Sequence, residues 1–219
     1  MSRSEHAFQT LREAILGGRF EPGAPLKYSE LQELCGVSVS PVREAMTRLV
    51  AAGLVEGEHN RGYRAASLSL AELDDLVRTR VEIESLALTR AIAFGDAHWE
   101  AAAVSGLHVI EVLPRRQADD PSLHNEEWEV HHIAFHRALI AACTSPLLLQ
   151  FSHMLSDRAD RYRRFSLTLE APDRDVAAEH RAILDATLAR DGAKACRLLA
   201  EHYRNTARYV REALAANEA

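Results

Sequence analysis

The sequence predicts a mostly α-helical protein with two parts, an N-terminal winged helix-turn-helix and a C-terminal antiparallel all-helical bundle. Two short helical patterns meet at a tight turn containing Gly36, and two short strand-like segments follow them. From residue 70 onward only long helical patterns occur, separated by single Gly and Pro residues. We therefore expect one domain over residues 1–68 and a second over residues 69–219.

The first two helices are predicted from apolar spacing and capping residues. Residues 5–16 form an amphipathic pattern whose apolar side consists of Phe8, Leu11, Ile15 and Leu16. The stretch SELQELCG predicts a shorter helix, with Ser29 and Gln32 as a capping box and Gly36 just past its end.

The third helix is predicted to begin at Ser40, whose hydroxyl would cap it, with Pro41 at the first helical position. One continuous apolar stripe follows, made of Val42, Ala45, Met46, Leu49 and Val50. The outward-facing side chains are Arg43, Glu44, Thr47 and Arg48. The second helix of a helix-turn-helix enters the major groove of DNA, although short helical hairpins also occur in ordinary protein cores.

A two-stranded wing is predicted after the third helix. Residues 54–57 and 63–66 have strand patterns, and the loop between them contains the sequence HNRG at residues 59–62. Because a helix-turn-helix precedes it, this loop is expected to place Arg61, with Gly62 beside it, at a phosphate or in a minor groove. The alternative is that Asn-Arg-Gly is only a turn selected for its backbone conformation.

A helical bundle is predicted for the rest of the chain. A linker over residues 65–70 leads to Ser69 and Glu72, which form a second capping box. The helical segments that follow span residues 70–93, 97–113, 124–143, 146–169, 174–190 and 192–216. Long helices with short connections form antiparallel bundles, and ligand and metal sites are often built in bundle cores.

The distribution of charge limits how the N-terminal part can bind nucleic acid. The chain has a formal net charge of −6, but residues 1–70 contain eight Lys/Arg and eight Asp/Glu, so the acidic excess lies in the remainder. A general basic footprint is therefore absent. DNA binding would depend on a local face that contains Lys27, Arg43, Arg48, Arg61 and Arg64.

Composition also bears on the cellular compartment. The chain has no run of eighteen apolar residues, and it does not open with a charged-then-apolar leader. Its three cysteines are widely spaced, which suits a reducing environment. We therefore expect a soluble, cytoplasmic protein without a membrane partner.

Residues 20–65, FEPGAPLKYSELQELCGVSVSPVREAMTRLVAAGLVEGEHNRGYRA, resemble the winged-helix N-terminus of the GntR family of bacterial transcription regulators. The resemblance runs almost position by position and rests on the Pro-Gly pair, VSVSPVREA, AAGLV and NRGY. It implies binding to double-stranded DNA. Val39 stands where many members carry Arg, so a base contact inferred from that Arg does not carry over to this chain.

Arg43 is expected to be the principal DNA contact. It lies in the first turn of the recognition helix, off the apolar stripe, and its planar five-donor guanidinium suits guanine or phosphate. Lower-ranked contacts to phosphate or sugar are expected from Ser38, Ser40, Thr47 and Arg48.

Four histidines in the helical part are candidate metal ligands. His132 and His136 stand four residues apart, so they lie on the same face of a helix. His180 and His202 each follow a Glu on a later helix. Together these imidazoles could hold one divalent cation, and imidazole suits Zn, Ni, Fe or Cu. The alternative is that they only line a polar pocket.

The second half of the chain resembles the helical effector domain of the FadR subfamily of GntR regulators. The matching segments are RVEIE at residues 80–84, FHRAL at 135–139, EHRAIL at 179–184, and His202. The resemblance implies a metal held by His132, His136, His180 and His202, with His132 where many members carry Asp. Zn²⁺ is the favoured cation, with Ni²⁺ or Fe²⁺ as alternatives. The resemblance also places Arg80 as an inward-facing residue.

The spacing of Trp128, His132, Phe135 and His136, with Arg-Tyr-Arg at residues 161–163, resembles a branch of carbon-starvation-induced regulators. That branch is associated with short dicarboxylates. We therefore expect a small carboxylate effector that binds beside the metal, with Arg80 and Glu84 in the effector site. The alternative is that Arg80 and Glu84 form a structural ion pair.

The favoured hypothesis is a ligand-responsive transcription regulator, a repressor, that binds a pseudo-palindromic operator as a homodimer. A metal sensor, in which the cation itself is the signal, is an alternative. A metalloenzyme with Glu84 or Glu179 as a general base is a third hypothesis, which the helix-turn-helix disfavours. We therefore expect no catalytic residues.

Overall fold

The computed structural model describes residues 1–58, 62–117, 119, 125–166 and 174–217. Within these residues the elements are α1 (Arg3–Leu16), β1 (Pro25–Leu26), α2 (Tyr28–Cys35), α3 (Val39–Ala51), β2 (Val55–Glu58), β3 (Gly62–Ala65), α4 (Leu70–Phe94), α5 (Ala97–Val112), α6 (Glu126–Ile140), α7 (Pro146–Phe165), α8 (Val176–Leu188) and α9 (Gly192–Asn217). The predicted fold class, a winged helix-turn-helix followed by an all-helical bundle, is confirmed. Arg61 lies outside the described residues.

The small sheet has the strand order β1-β3-β2, with both pairs antiparallel. Val55 pairs with Ala65 and Glu58 with Gly62, so each predicted wing strand is displaced by one residue. Strand β1 was not predicted, because two residues, one of them Pro25, carry no strand pattern of their own. The strand exists only through its pairing with β3.

The chain divides into two compact units. The first contains Met1–Leu73 together with Asp157–Phe165, the last nine residues of α7. The second contains the rest of the described chain. The first unit therefore includes a segment that is distant in sequence from the winged helix-turn-helix.

Helices α1 and α3 pack against each other in the core of the first unit. The fully buried side chains are Ala7, Leu11, Val42, Ala45, Met46, Leu49 and Leu54. The predicted apolar stripe of α3 is thus confirmed, except that Val50 is 38% exposed. Burial of apolar surface stabilises the folded state by about 25 cal/mol per Å². Each of the buried Leu, Val and Met side chains therefore contributes roughly 1.5–3 kcal/mol to folding.

The predicted N-terminal caps of α2 and α3 are wrong. Helix α3 begins two residues earlier than expected, with Ser38 at the N-cap in an extended conformation and no side-chain capping bond. Ser40 is therefore inside the first turn, and Pro41 is tolerated there because first-turn N–H groups have no helical acceptor. Helix α2 has Lys27 at its N-cap, so Ser29 is not a cap. The predicted Gly36 C-cap is confirmed, with φ of 63°.

The end of α7 contacts the C-terminus of the recognition helix within the first unit. Arg158 Nε donates to the carbonyl of Ala52 at 3.0 Å, and Arg161 donates to the carbonyls of Gly53 and Ser67, each at 3.3 Å. Cations at a helix C-terminus complement its negative dipole end. Gly53 has φ of 72° and no side chain, which leaves room for the Arg158 guanidinium.

The second capping box forms in part. Ser69 Oγ accepts from the N–H of Glu72 at 3.1 Å, as predicted. The reciprocal bond from Glu72 to the Ser69 N–H is replaced, because Tyr162 occupies that place. The Tyr162 hydroxyl accepts from the Ser69 N–H at 3.1 Å and donates to Glu72 Oε2 at 2.5 Å. Burial, with Glu72 beside it, raises the pKa of Tyr162 to about 12, which keeps the hydroxyl a donor.

The second unit is a bundle in which indole hydrogen bonds fix α6 against α5. Trp128 Nε1 donates to the carbonyl of Ile110, and Trp99 Nε1 donates to the carbonyl of Ala138, both at 2.9 Å. Gly106 lets the two helices approach closely, since a Cβ there would lie 3.3 Å from Phe135 Cα. These contacts set the position of α6, which carries His132 and His136. No helix among the described residues has both the length and the apolar character that crossing a bilayer requires.

Candidate functional site

The structure brings the four predicted histidines together inside the second unit. His132 and His136 project from α6 one turn apart, His180 projects from α8, and His202 projects from α9. One ring nitrogen of each lies within 4.8 Å of the others, and all four side chains are buried. We call these four residues the histidine cluster.

The spacing of the ring nitrogens fits a divalent cation. His132 Nε2 lies 3.2 Å from His136 Nε2 and 3.2 Å from His180 Nε2. Nitrogen ligands at 2.0–2.1 Å from a tetrahedral Zn²⁺ lie about 3.3–3.4 Å from one another. The histidine cluster therefore has the chemistry and the spacing of a nitrogen donor set.

The protonation state of two cluster histidines also suits a cation. Burial lowers the pKa of His180 well below its ordinary value, and the neighbouring His202 and Arg174 lower it further. Burial likewise lowers the pKa of His202, although its hydrogen bond to Glu179 opposes that shift. Both imidazoles are therefore neutral at pH 7, which is the form that binds metals.

Glu179 and Arg174 hold His202, and Trp128 packs on His132, in contacts that the sequence did not predict. Glu179 Oε2 lies 2.7 Å from His202 Nδ1, and Arg174 forms a bidentate pair with Glu179. Burial raises the pKa of Glu179, but its hydrogen bonds with His202 and Arg174 outweigh burial and hold it well below the ordinary value. Trp128 stacks on the His132 ring, with centroids 4.7 Å apart.

A second polar group lies beside the cluster. Arg80 Nε donates to Glu84 Oε1 at 2.8 Å, and their side chains are 12% and 3% exposed. The Arg80 guanidinium also lies over the Tyr203 ring at 4.0 Å, and the Tyr203 hydroxyl donates to Glu84 Oε2 at 2.5 Å. The Tyr203 ring centroid is 5.9 Å from that of His136. The ion pair between Arg80 and Glu84 is thus present, one aromatic ring away from the histidine cluster.

The predicted DNA contacts of the recognition helix are solvent-exposed in the first unit. Ser40, Arg43 and Thr47 are exposed on α3, and Ser38 is exposed at its N-cap. Tyr28 and Tyr63 pack edge to face near them, with ring centroids 6.1 Å apart. Burial raises the pKa of Tyr28, and a hydrogen bond with Arg43 opposes that shift, so the hydroxyl and the guanidinium are neighbours. Gly62 has φ of 93°, a conformation that suits glycine.

Arg48 differs from Arg43, because its side chain contacts α1. Its Nη1 lies 2.9 Å from Glu5 Oε2, and its guanidinium lies 3.9 Å from the centroid of the Phe8 ring. Arg48 therefore links α1 to α3 within the first unit. Of the other cations predicted for the DNA-facing side, Arg64 donates to the carbonyl of Gly23 at 3.1 Å and Lys27 is exposed.

An exposed recognition helix with a wing, followed by a helical bundle that contains a buried donor cluster, defines a DNA-binding transcription regulator. Residues 3–64 match the family described as bacterial regulatory proteins, gntR family, and residues 75–205 match the FCD domain. The chain belongs to the GntR family of bacterial transcription regulators, and its second half is an FCD domain.

Relatives with curated names support this assignment. The chain is 38% identical over 208 residues to the HTH-type transcriptional regulator BphR of Paraburkholderia xenovorans, covering 95% of this chain and 85% of that protein. It is 35% identical over 215 residues to the HTH-type transcriptional repressor GlaR of Escherichia coli, covering 96% of each. Family membership excludes the metalloenzyme hypothesis.

A solved structure shows the same fold. E. coli McbR/YncC superposes with a TM-score of 0.81 at 22% identity, over 97% of this chain and 98% of that one. At this identity the likeness concerns the fold alone.

Proposed function

We propose that the protein is a transcriptional repressor of the FadR subfamily whose operator binding is controlled by a small carboxylate bound beside a divalent cation in the histidine cluster. The 3.2 Å separations of the Nε2 atoms are the observation that carries this proposal. The repressor role is supported by GlaR, which is named a repressor and aligns over nearly its whole length.

The charge of the donor set favours an anionic effector. Neutral imidazoles leave the full positive charge of a divalent cation in place, whereas the Asp of many relatives would cancel part of it. Zn²⁺ can expand to five ligands, so a carboxylate oxygen can join four imidazoles. When bound, the cation supplies Lewis acidity and charge that hold such an oxygen.

Arg80 is the proposed second anchor for the effector. Its guanidinium is already ordered by Glu84 and Tyr203 beside the cluster, so it loses little conformational entropy when it meets a second carboxylate. A dicarboxylate would then place one oxygen group at the cation and the other at Arg80. We propose short dicarboxylates as the ligand class on this basis.

The DNA-binding form is proposed to be a homodimer on a pseudo-palindromic operator. A two-fold pair of recognition helices reads two half-sites separated by about one helical turn, or a multiple of it. The two DNA-binding domains of the dimer can be arranged to bind the operator or not to bind it. The effector can change operator affinity only by as much as its own affinity differs between these two arrangements. Light scattering of the purified protein, alone and with operator, measures the stoichiometry.

Calorimetric titration with C4–C6 dicarboxylates and monocarboxylates tests the effector proposal. We expect a dissociation constant below a millimolar for at least one dicarboxylate on wild type with Zn²⁺, weaker binding by Arg80→Ala, and none by a metal-free His136→Ala variant. Arg78→Ala is the matched control, because Arg78 lies on the same helix with a side chain that is 70% exposed. The proposal is wrong if no acid binds wild type, or if binding survives the loss of both the metal and Arg80.

The completeness of the histidine cluster favours a second candidate, a metal sensor. Four buried imidazoles can satisfy a tetrahedral cation without any external ligand. In that case Zn²⁺ alone would change operator affinity, and added acids would have no further effect. An operator titration with and without Zn²⁺, in the absence of any carboxylate, separates the two functions.

A further inference from the structure

We infer that Glu179, held by Arg174 and Asn205, is a positioning residue of the histidine cluster that fixes the ring orientation and the tautomer of His202. This inference rests on the proposed cation site. It concerns residues that do not touch the cation themselves. Its physical basis is a set of hydrogen bonds that join α8 to α9, together with those of Arg174, which lies two residues before α8.

Both oxygens of Glu179 are engaged. Oε2 lies 2.7 Å from His202 Nδ1 and accepts from Arg174 Nη2 at 2.6 Å. Oε1 accepts from Arg174 Nε at 3.0 Å and from Asn205 Nδ2 at 3.0 Å. A bidentate Arg–carboxylate pair has a fixed geometry, so the carboxylate has a single orientation toward His202.

This carboxylate selects one tautomer of His202. Arg174 Nη2 also lies 3.2 Å from His202 Nδ1, but the Glu179 oxygen is closer, at 2.7 Å. Because an ionised carboxylate can only accept hydrogen bonds, Nδ1 carries the hydrogen of the neutral ring. The Nε2 lone pair then remains for a cation, and one ring nitrogen of His202 lies within 4.8 Å of a ring nitrogen of each other cluster histidine. Carboxylate–histidine pairs of this kind orient metal ligands in many proteins and strengthen their donation.

Arg174 extends the same network to the backbone of α9. Its Nη2 also donates to the carbonyl of His202 at 3.1 Å, and its side chain is 9% exposed. One guanidinium thus contacts both the residue that orients His202 and the backbone that carries it. The ring of His202 is consequently fixed from its side chain and from its main chain.

A comparison with Glu201 shows that standing directly before a cluster histidine does not by itself make a glutamate hold that cluster. Glu179 and Glu201 each directly precede a cluster histidine in the sequence Ala-Glu-His. Glu201 is exposed, whereas Glu179 is partly buried and bonded to His202 on the other helix. The chain therefore contains its own matched control for the charge and for the local sequence.

The test is Zn²⁺ affinity, measured by competition with a chromophoric chelator, on wild type, Glu179→Gln and Glu201→Gln. We expect Glu179→Gln to bind Zn²⁺ about 10- to 100-fold more weakly and Glu201→Gln to match wild type. Asn205→Ala should show a smaller loss. The visible absorption of the Co²⁺ form should change in Glu179→Gln, because the orientation of one ligand changes, and should be unaltered in Glu201→Gln.

The outcomes separate this inference from the proposed function. If wild type binds Zn²⁺ and Glu179→Gln binds it equally well with the same Co²⁺ spectrum, the inference is wrong and the cation site stands, even if the metal-free variant melts at a lower temperature. If wild type binds neither metal, both fail. If Glu179→Gln does not fold, Arg174→Lys replaces it, and unchanged Zn²⁺ affinity in that variant overturns the inference.

Discussion

The proposed DNA-facing surface of α3 and the histidine cluster are built in opposite ways. The exposed side chains predicted to contact DNA, Ser40, Arg43 and Thr47 on α3 with Ser38 at its N-cap, lie within one stretch of ten residues. The histidine cluster draws on three helices between residues 132 and 202, and its rings contact one another. A surface of the first kind should lose function residue by residue, whereas a buried cluster of the second kind should lose function as a unit.

The largest expected effect is at the histidine cluster. His136→Ala or His180→Ala should abolish stoichiometric Zn²⁺ binding, because each removes a donor from a buried set that water cannot easily replace. Wild type should gain roughly 2.7 kcal/mol of stability at a free Zn²⁺ concentration of about 100 times its dissociation constant, and the variants should gain none. Elemental analysis and thermal unfolding with and without Zn²⁺ measure both quantities.

His131→Ala is the control for this prediction, since His131 is adjacent in sequence to His132 but does not belong to the histidine cluster. It should retain full Zn²⁺ content. Graded Zn²⁺ affinities across the single cluster variants, with no variant losing the metal, would mean that the cluster does not act as a unit. The contrast with α3 would then fail.

The next effect separates two arginines on the recognition helix. Arg43→Ala should weaken operator binding by about 1–3 kcal/mol without altering the melting temperature, because Arg43 is exposed and faces outward. Arg48→Ala should have a smaller effect on operator affinity and a larger one on stability, since Arg48 contacts Glu5 and Phe8. For a half-exposed ion pair the stability loss is about 0.2–1 kcal/mol.

The two variants are each other's control, and gel-shift titration at one salt concentration with thermal unfolding measures both effects. If replacing Arg43 has no effect on operator affinity, Arg43 is not part of the DNA-binding site. If Arg48→Ala loses as much operator affinity as Arg43→Ala, Arg48 contacts the DNA despite its contacts with α1.

The same contrast explains what the sequence could predict. The helices were predicted because apolar periodicity is local, and the stripe of Val42, Ala45, Met46 and Leu49 is buried as expected. The predicted caps, Ser29 for α2 and Ser40 for α3, rest on local sequence motifs, whereas Lys27 and Ser38 stand at these N-caps without a side-chain bond. Strand β1 and the α7 segment of the first unit depend on pairing between distant residues.

The candidate site shows the same limit. The i, i+4 spacing predicts that His132 and His136 share a face. Their convergence with His180 and His202 was one hypothesis from the sequence, beside a plain polar pocket, and the family resemblance favoured it. Arg174 and Asn205 reach Glu179 through side-chain bonds that follow no local pattern. Such partners become visible only in three dimensions. The exposed contacts of α3 needed no such information, because one helix supplies them.

The smallest expected effect tests whether the residues of the DNA-facing surface are fully independent. Tyr28 begins α2, packs edge to face on Tyr63 of the wing, and lies beside Arg43. Its hydroxyl is therefore in a position to hold the Arg43 guanidinium before DNA binds. Tyr28→Phe should weaken binding of a selected operator by about 0.5–1.5 kcal/mol, the net contribution of one hydrogen bond.

A double-mutant cycle decides whether that loss acts through Arg43. If Tyr28 only positions Arg43, Tyr28→Phe should have no further effect in the Arg43→Ala background, and the coupling energy should equal the single-mutant loss. Fluorescence anisotropy with labelled operator at fixed salt measures all four corners, and Tyr209→Phe in α9 serves as the control for a tyrosine hydroxyl outside the first unit. Strict additivity would mean that the hydroxyl acts independently of Arg43. Coupling would mean that Tyr28 and Arg43 contribute to operator binding jointly. The proposed DNA-facing surface would then differ from the histidine cluster only in how many of its residues depend on one another.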